Sequence, residues 1–315
     1  MYHPHLFARR AEMLALRDIA AMLPVSTTIS PILEPVKSDS NDLLRCLETL
    51  GNAGITCTVI TNPLEGDFRI AAMREPWRAT LADRFNQFPN ILPGFVCRAT
   101  TTPATIQGFL DAYPNRNVAI LYWSPNLTNG FLQQLAAEQR ITFHINLLDQ
   151  MSVAQRSLLP IAKAIDVEDH FTKQLRNADY GGPEFFSDDH LTFATNSIGF
   201  GDYSVIGANF VAGGGQAHAV AIHAMYLADA GTFWVEHFIS DDVDLAVGTV
   251  EGKYLQAAGK LVDAVTLRPT EFGVDAALLG YQNDVNTNNF PGLATNKRRQ
   301  IHHHLSLVHG FLSIT

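Results

Sequence analysis

The chain has 315 residues, with 22 Lys and Arg against 31 Asp and Glu, which gives a formal net charge of -9. Hydrophobic residues make up 47% and charged residues 17%, the composition of a globular protein rather than of a disordered or collagen-like chain. A net acidic chain is a poor candidate for duplex nucleic-acid binding, because phosphate contacts require clustered Lys and Arg.

The cysteine pattern and the apolar runs bear on localisation. Cys46, Cys57 and Cys97 lack CxxC spacing and lie in apolar runs, which is typical of buried free thiols in a reducing compartment. The N-terminal residues lack the charged-then-apolar pattern of a signal peptide. No apolar run approaches the roughly 18 residues of a membrane span, so the sequence predicts a cytoplasmic protein without membrane association.

A regular alternation of strands and helices follows an amphipathic helix that we predict over residues 7–22. Runs of β-branched and apolar residues indicate strands, and Ser, Thr or Pro at helix starts marks the intervening helices. The predicted strands are 27–36, 55–60, 91–97, 117–123, 141–147 and 162–167. The helices between them are predicted over 40–52, 76–88, 102–113, 126–139 and 152–159.

Six such units imply a parallel sheet with both faces covered by helices. A closed eight-stranded barrel and an open doubly wound sheet both satisfy this pattern. The barrel is favoured because no Gly-rich fingerprint follows the first strand and the repetition shows no switch point. We therefore predict an α/β fold, a (β/α)8 TIM-barrel-like domain, with an insertion after strand six and an extra C-terminal helix.

The second half of the chain is less regular. A polar, aromatic stretch over 177–196 is too long for a simple connection. Strands are predicted over 197–206 and 217–226, with a hairpin partner over 233–239, and helices over 250–267 and 294–311. We predict one domain over 1–315, with regular units over 24–171, an irregular insertion and the last strands over 172–240, and C-terminal helices over 250–315.

Candidate chemistry follows from the strand ends, because ligands of parallel α/β folds bind at the carboxyl ends of strands. Glu34 lies near the carboxyl end of the first predicted strand. Asp166 and Glu168 alternate at the end of the sixth, so an extended backbone directs both to one side. Paired carboxylates suit Mg²⁺ or Mn²⁺ binding or acid–base catalysis. Equally, such residues can cap the next helix or lie in solvent.

Further candidates lie in the second half. The run Gly199-Phe200-Gly201-Asp202 combines small residues, which allow close backbone approach, with an Asp that could project from a strand end; a turn is the alternative. His223 and His237 lie in apolar strands and are candidates for proton transfer. Their alternative is that of hydrogen-bonded core histidines.

Several blocks of sequence resemble an uncharacterised bacterial family related to the phage "beta protein" group. They include the opening Met1-Tyr2-His3-Pro4-His5-Leu6, the run Ile29-Ser30-Pro31-Ile32-Leu33-Glu34-Pro35-Val36, the run Phe185-Phe186-Ser187-Asp188-Asp189-His190, and Gly199-Phe200-Gly201-Asp202-Tyr203-Ser204. The resemblance implies a barrel-like α/β fold and carriage on mobile elements or near phage-defence genes, beside a neighbour-encoded nuclease-like partner. It implies no established reaction.

Two functions fit the sequence. In the first, the barrel is a metal-assisted hydrolase of phosphodiesterase type, acting on a phosphorylated or nucleotide ligand at the barrel mouth. Glu34, Asp166, Glu168 and Asp202 would converge there around Mg²⁺ or Mn²⁺, with His223 or His237 moving a proton. In the second, the protein is a non-catalytic scaffold or sensor, and aromatic residues of the insertion (Tyr180, Phe185 and Phe186) bind a partner protein.

Overall fold

The computed structural model describes residues 1–22, 28–213 and 218–314. Its strands are β1 (His5–Leu6), β2 (Ile32–Leu33), β3 (Cys57–Ile60), β4 (Ile91–Cys97), β5 (Val118–Tyr122), β6 (Ile141–Leu147), β7 (Ala164–Glu168), β8 (Gly182–Ser187), β9 (Gly199–Asp202), β10 (Ala221–Leu227) and β11 (Phe233–Ile239). Its α-helices are α1 (Arg10–Met22), α2 (Asn41–Asn52), α3 (Arg74–Ala79), α4 (Ala82–Gln87), α5 (Pro103–Ala112), α6 (Asn129–Ala137), α7 (Val153–Arg156), α8 (Asp189–Thr192), α9 (Val250–Leu267), α10 (Pro269–Phe272), α11 (Ala276–Thr287) and α12 (Leu293–Ile314).

The chain divides into two compact units. The first comprises Met1–Met13, Ala20–Asp169 and Asp189–Tyr203; the second comprises Leu14–Ile19, His170–Asp188 and Ser204–Thr315. The single domain over 1–315 that the sequence indicates stays a prediction.

The first unit is a ring of parallel strands. Strands β1 to β7 pair in chain order, and β9 pairs with β7. Tyr2 forms parallel bridges to both Ile29 and Phe200, and the amide of His3 donates to the carbonyl of Phe200 at 2.8 Å. The N-terminal segment, which contains β1, therefore lies between the β2 and β9 segments, and the predicted TIM-barrel-like fold is confirmed.

One barrel strand was not predicted from the sequence, and the predicted hairpin forms but lies in a separate sheet. The eighth barrel strand is β1, which was not predicted, since it has only two residues and lies in a segment with two His and a Pro. The strands predicted over 217–226 and 233–239 exist as β10 and β11, but they pair with β8 in a separate antiparallel sheet. The start of the strand predicted over 27–36 lies outside the described residues.

Side-chain alternation assigns an outward and an inward face to each barrel strand. Ile120 and Tyr122 of β5 pack in one apolar cluster with Ile106 and Leu110 of α5 and Leu132 of α6, so this face is directed at the helices. The neighbouring residues of β5 therefore point into the barrel. Because paired residues of adjacent parallel strands point the same way, the register extends this assignment around the ring.

The Gly-Phe-Gly-Asp run of β9 follows this alternation. Gly199 and Gly201 face inward, and a Cβ atom built on Gly201 would lie 2.1 Å from the carbonyl oxygen of His3. A Cβ on Gly199 would lie 2.7 Å from the ring of His3. The glycines thus give the N-terminal strand room beside β9, and they direct Phe200 and Asp202 outward.

The second unit combines the three-stranded sheet with the C-terminal helices. Strand β11 lies in the middle, between β10 and β8. One face of the sheet packs against α9, α10 and α11 through a cluster that includes Ile222, Tyr254, Leu261 and Phe272. The carboxylate of Asp275 caps α11 by accepting hydrogen bonds from the amides of its first turn.

Two further expectations can be compared with the structure. Cys46, Cys57 and Cys97 are buried free thiols, as predicted. In the part of the chain that the structure describes, every helix is too short or too polar to cross a membrane. Cytoplasmic localisation itself remains a prediction.

Candidate active site

Glu34 lies inside the barrel, immediately after β2. His5 of β1 pairs with Ile32, and Glu34 lies two residues beyond Ile32, so His5 and Glu34 point into the same interior. The amide of Glu34 donates to the carbonyl of Leu6 at 2.8 Å, which fixes this strand end against β1. Because Glu34 follows the strand, its carboxylate lies at the carboxyl-end mouth of the barrel, where enzymes of this fold place their chemistry.

Burial alters the protonation of Glu34. The residue is 5% exposed, and within the described residues its Oε1 atom has no hydrogen-bond partner. Burial raises the pKa of this carboxyl from its ordinary 4.5 to about 7; the nearby Arg98 guanidinium opposes that rise and the Glu65 carboxylate adds to it. Both protonation states are therefore populated near neutral pH, as acid–base catalysis requires.

His5 and Tyr203 surround the carboxylate. The Nε2 atom of His5 lies 3.6 Å from Oε2 of Glu34, and the rings of His5 and Tyr203 are 4.5 Å apart. Burial lowers the pKa of His5 to about 3, so its imidazole is neutral at pH 7. Burial, followed by the charges of Glu34 and Asp169, raises the pKa of Tyr203. Glu34 is therefore a titrating carboxyl that lies beside two neutral rings, those of His5 and Tyr203.

Arg98 supplies positive charge at the same mouth. It follows β4, and its guanidinium lies 6.0 Å from the centre of the Trp123 ring, which follows β5. Its Nη1 atom makes long contacts of 3.4 Å to the carbonyls of Asn62 and Val96. Burial lowers the pKa of Arg98, and the charge of Glu34 counteracts this. A planar guanidinium in this setting suits a carboxylate or phosphate group of a ligand.

The barrel interior beneath Glu34 is polar. His3, Ser30 and Thr58 are at most 1% exposed, and among the described residues the hydroxyls of Ser30 and Thr58 have no hydrogen-bond partners. Interiors of such barrels are usually filled by branched apolar side chains. Each unpaired buried polar group costs roughly 1–3 kcal/mol, so this arrangement lowers stability and is typical of a functional site.

Strained backbone also concentrates at the mouth. Ala8 has a φ of 49°, Ser124 of 52°, Leu148 of 54° and Asp149 of 49°, and each lies one or two residues beyond a barrel strand. Non-glycine residues rarely adopt positive φ. Such strain clusters at binding and catalytic sites, where the surrounding structure maintains it.

Asp202 does not lie with Glu34. It faces outward with Phe200, and its Oδ1 accepts a hydrogen bond from the hydroxyl of Tyr2 at 2.7 Å. Both residues are buried. Asp202 therefore helps to hold the N-terminal segment against β9, and the structure assigns it to this packing rather than to the interior of the barrel.

Asp166 and Glu168 also lie on the outward face. Both carboxylate oxygens of Asp166 are bonded by Arg156, at 2.8 and 2.6 Å, and Asn146 donates to Oδ1 at 3.1 Å. Glu168 is exposed and pairs in register with Asp202. Over residues 1–22, 28–213 and 218–314, no group of three or more His, Cys, Asp or Glu side chains is arranged to hold one metal ion. The predicted convergence around Mg²⁺ or Mn²⁺ is thus not seen.

His223 and His237 belong to the second unit, where they are direct partners on β10 and β11. Their Nδ1 atoms lie 2.7 Å apart. Of the predicted interface aromatics, Phe186 is 2% exposed and Phe185 is 50% exposed. The ring of Tyr180 lies 4.5 Å from that of His223.

Sequence reasoning missed His5 and Tyr203 as members of the site. Arg98 is recognisable as a polar residue at a strand end. His3 and His5 alternate with apolar residues in the manner of a strand, but a strand of two residues gives too little pattern for detection. Tyr203 lies two residues beyond the inward-facing Gly201, and this alternation directs it into the barrel mouth.

Fold and site together define a (β/α)8 barrel with a buried, titrating carboxyl at its carboxyl-end mouth. No family model and no curated protein matches the chain. Among solved structures the chain is similar to a mandelate racemase/muconate lactonizing protein from Herpetosiphon aurantiacus, with 12% identity and a TM-score of 0.35, over 75% of this chain and 61% of that one. The chain thus spans less than two thirds of that protein, and a likeness at this TM-score supports no functional conclusion.

Proposed function

We propose that the barrel unit is an enzyme that performs acid–base chemistry on a small anionic substrate. Glu34 transfers the proton, and Arg98 binds the negative charge of the substrate. The observation that carries this proposal is the position of Glu34, a carboxyl that is 5% exposed at the end of a barrel strand with one oxygen unpaired among the described residues. A raised carboxyl pKa with a nearby cation in a barrel mouth is a pattern of catalytic sites.

Hydrolysis of a phosphorylated or nucleotide substrate is the reaction we put forward. Arg98 binds the phosphoryl oxygens beside the partly exposed ring of Trp123. The Glu34 carboxylate takes a proton from water as the water oxygen bonds to phosphorus. The bond from phosphorus to the leaving oxygen breaks, and the leaving oxygen receives the proton back from Glu34. His5 and Tyr203 help to bury the carboxyl, and this burial keeps its pKa high.

A divalent metal ion is not needed for these steps. The donor atoms do not fit one: Asp166 is occupied by Arg156, and Glu168 shares its outward face. The predicted binding of Mg²⁺ or Mn²⁺ at these carboxylates therefore plays no part in the proposed hydrolysis.

Hydrolysis assays with defined probes test the proposal. Bis-p-nitrophenyl phosphate, p-nitrophenyl phosphate and thymidine 5′-p-nitrophenyl phosphate would be incubated with the protein, in EDTA and with added Mn²⁺. We expect turnover in EDTA that Glu34→Gln lowers by about 10²–10⁴-fold, the usual contribution of a general acid–base group. Arg98→Ala should mainly raise KM, since it removes a contact to the substrate.

Glu75→Gln is the matched control, because the Glu75 side chain is 83% exposed on α3. It should leave turnover unchanged. Equal activity of Glu34→Gln and the native protein would refute the proposal. Turnover that depends on Mn²⁺ and on Asp166, but not on Glu34, would favour the metal-assisted reaction instead.

A scaffold function is the second candidate. It is favoured by two exposed apolar side chains of the insertion, Leu175 at 96% and Phe185 at 50%. A nuclease-like protein encoded nearby would be the partner, as the family resemblance implies. Co-expression of the two proteins and a measurement of solution mass test this: Leu175→Ser with Phe185→Ser should abolish a complex, and no complex with the native protein would contradict it.

A further inference from the structure

Three polar side chains form a line across the antiparallel sheet of the second unit. Glu184 lies on β8, His237 on the central strand β11 and His223 on β10. The Nε2 atom of His237 lies 3.3 Å from Oε1 of Glu184, and its Nδ1 lies 2.7 Å from Nδ1 of His223. The two imidazoles thus extend from the partly exposed Glu184 to Nε2 of His223.

The short contact between the two Nδ1 atoms determines which ring nitrogen atoms carry hydrogen. A hydrogen bond between them requires that one Nδ1 carries hydrogen and the other does not, since a neutral imidazole has a single N–H. If His237 carried its proton on Nδ1, the lone pair of its Nε2 would face the negative Glu184, which is unfavourable. The proton of His237 therefore lies on Nε2. His223 then donates from Nδ1, and the Nε2 of His223 keeps a free lone pair.

The surroundings keep the pair neutral and rigid. Each histidine is 7% exposed, and the ring of Tyr180 lies 4.5 and 4.8 Å from the two imidazoles. The amide of His223 donates to Oε1 of Gln300 on α12 at 3.2 Å. Burial, then the neighbouring imidazole and the Lys297 charge, holds the pKa of His223 well below its usual range.

The charges that face His237 are negative, whereas the charge that faces His223 is positive. Burial lowers the pKa of His237 as well, but Glu184 on β8 and Glu236 on β11 oppose that effect. A positive charge in the pair is therefore more stable on His237 than on His223, which has Lys297 rather than a carboxylate beside it.

We propose that Glu184, His237 and His223 form a proton relay, directed by Glu184, that makes Nε2 of His223 the acceptor for a ligand with an acidic O–H or N–H group. When Nε2 of His223 takes the proton, its Nδ1 proton passes to Nδ1 of His237. His237 becomes an imidazolium beside Glu184, and the ligand is left as an anion. Glu34 takes no part in this relay, so the test of the proposed hydrolase does not decide whether the relay exists.

Nitrogen-15 NMR of the full chain, with the proton itself as the probe, tests the relay. At neutral pH we expect His223 as the Nδ1–H tautomer, His237 as the Nε2–H tautomer, and a scalar coupling between the two Nδ1 atoms. On acidification the first proton should convert His223 to the Nε2–H tautomer and His237 to the imidazolium. An imidazolium on His223, with its neighbour still neutral, would overturn the relay.

Glu184→Gln tests whether Glu184 sets the direction of the hydrogen bonds in the relay. The amide of Gln donates to Nε2 of His237, so the array should reverse: His237 carries Nδ1–H and donates to His223, whose proton moves to Nε2. Glu251→Gln, at an exposed position on α9, is the control and should leave both tautomers unchanged. Tautomers that are the same in Glu184→Gln as in the native protein would refute the role of Glu184. If that variant does not fold, the native spectrum alone decides.

Discussion

The titration of Glu34 has a consequence for stability that can be measured without a substrate. Its carboxyl has a pKa of about 7 in the folded protein, against 4.5 ordinarily. Because the folded-state pKa is the higher one, folding favours the protonated form. The stabilisation is fully present below pH 4.5 and is lost as the pH rises through 7. Replacement by Gln, which resembles the protonated carboxyl and does not titrate, should remove this loss.

The size of the effect follows from the two pKa values. Each pKa unit of difference corresponds to about 1.4 kcal/mol, so the ionised Glu34 costs about 3 kcal/mol at pH 8. At pH 5 the cost falls below about 1 kcal/mol. Relative to the native protein, Glu34→Gln should therefore gain about 2–3 kcal/mol in free energy of unfolding between pH 5 and pH 8.

Urea denaturation followed by tryptophan fluorescence measures this difference. The chain has three tryptophans; Trp77 and Trp123 lie in the barrel unit, whereas Trp234 lies in the second unit. Both proteins would carry Trp234→Phe, so that fluorescence reports on the barrel unit alone. Other titrating groups are common to both proteins and cancel in the difference.

The same urea experiment can also refute the titration of Glu34 between pH 5 and pH 8. If the difference in free energy of unfolding between Glu34→Gln and the native protein is equal at pH 5 and pH 8, Glu34 does not titrate in this range. The assignment of Glu34 as proton-transfer group would then fail. Glu75→Gln, which alters an exposed carboxyl, should show no such dependence on pH.

Two further predictions concern the packing of the N-terminal segment against β9. Gly201→Ala should cost about 3 kcal/mol or more in free energy of unfolding, because its Cβ would meet the His3 carbonyl. Gly259→Ala on α9, where a Cβ meets nothing within 4 Å, should instead stabilise by up to about 1 kcal/mol; equal urea midpoints for the two variants would contradict this reasoning. Tyr2→Phe should cost about 1.5–3 kcal/mol, since it removes a buried hydrogen bond to the Asp202 carboxylate. A double-mutant cycle with Asp202→Asn measures that coupling, and a coupling of zero would mean that the bond does not stabilise the barrel.

Much of the barrel could be predicted from local sequence pattern. Strands β4 and β6 have the bounds that the pattern predicts, 91–97 and 141–147. Both faces of these strands are buried, so each reads as a continuous apolar run. Closure of the ring could not be predicted in this way. It depends on the pairing of Tyr2 with Phe200, and no local pattern specifies a contact between such distant residues.

The candidate site was harder to predict because alternation shows which residues share a face but not which face is interior. Asp166 and Glu168 share one face, yet that face is directed at the helices, where Arg156 binds Asp166. In a covered barrel both faces of a strand are buried, so apolar content cannot distinguish them. Residue size can do so where another backbone approaches closely. Gly201 has room for no Cβ, which places its side of β9 in the crowded interior and Asp202 outside. Glycines alternating with larger residues in a barrel strand therefore indicate which face of that strand is interior, and by that criterion Asp202 of β9 does not reach the mouth.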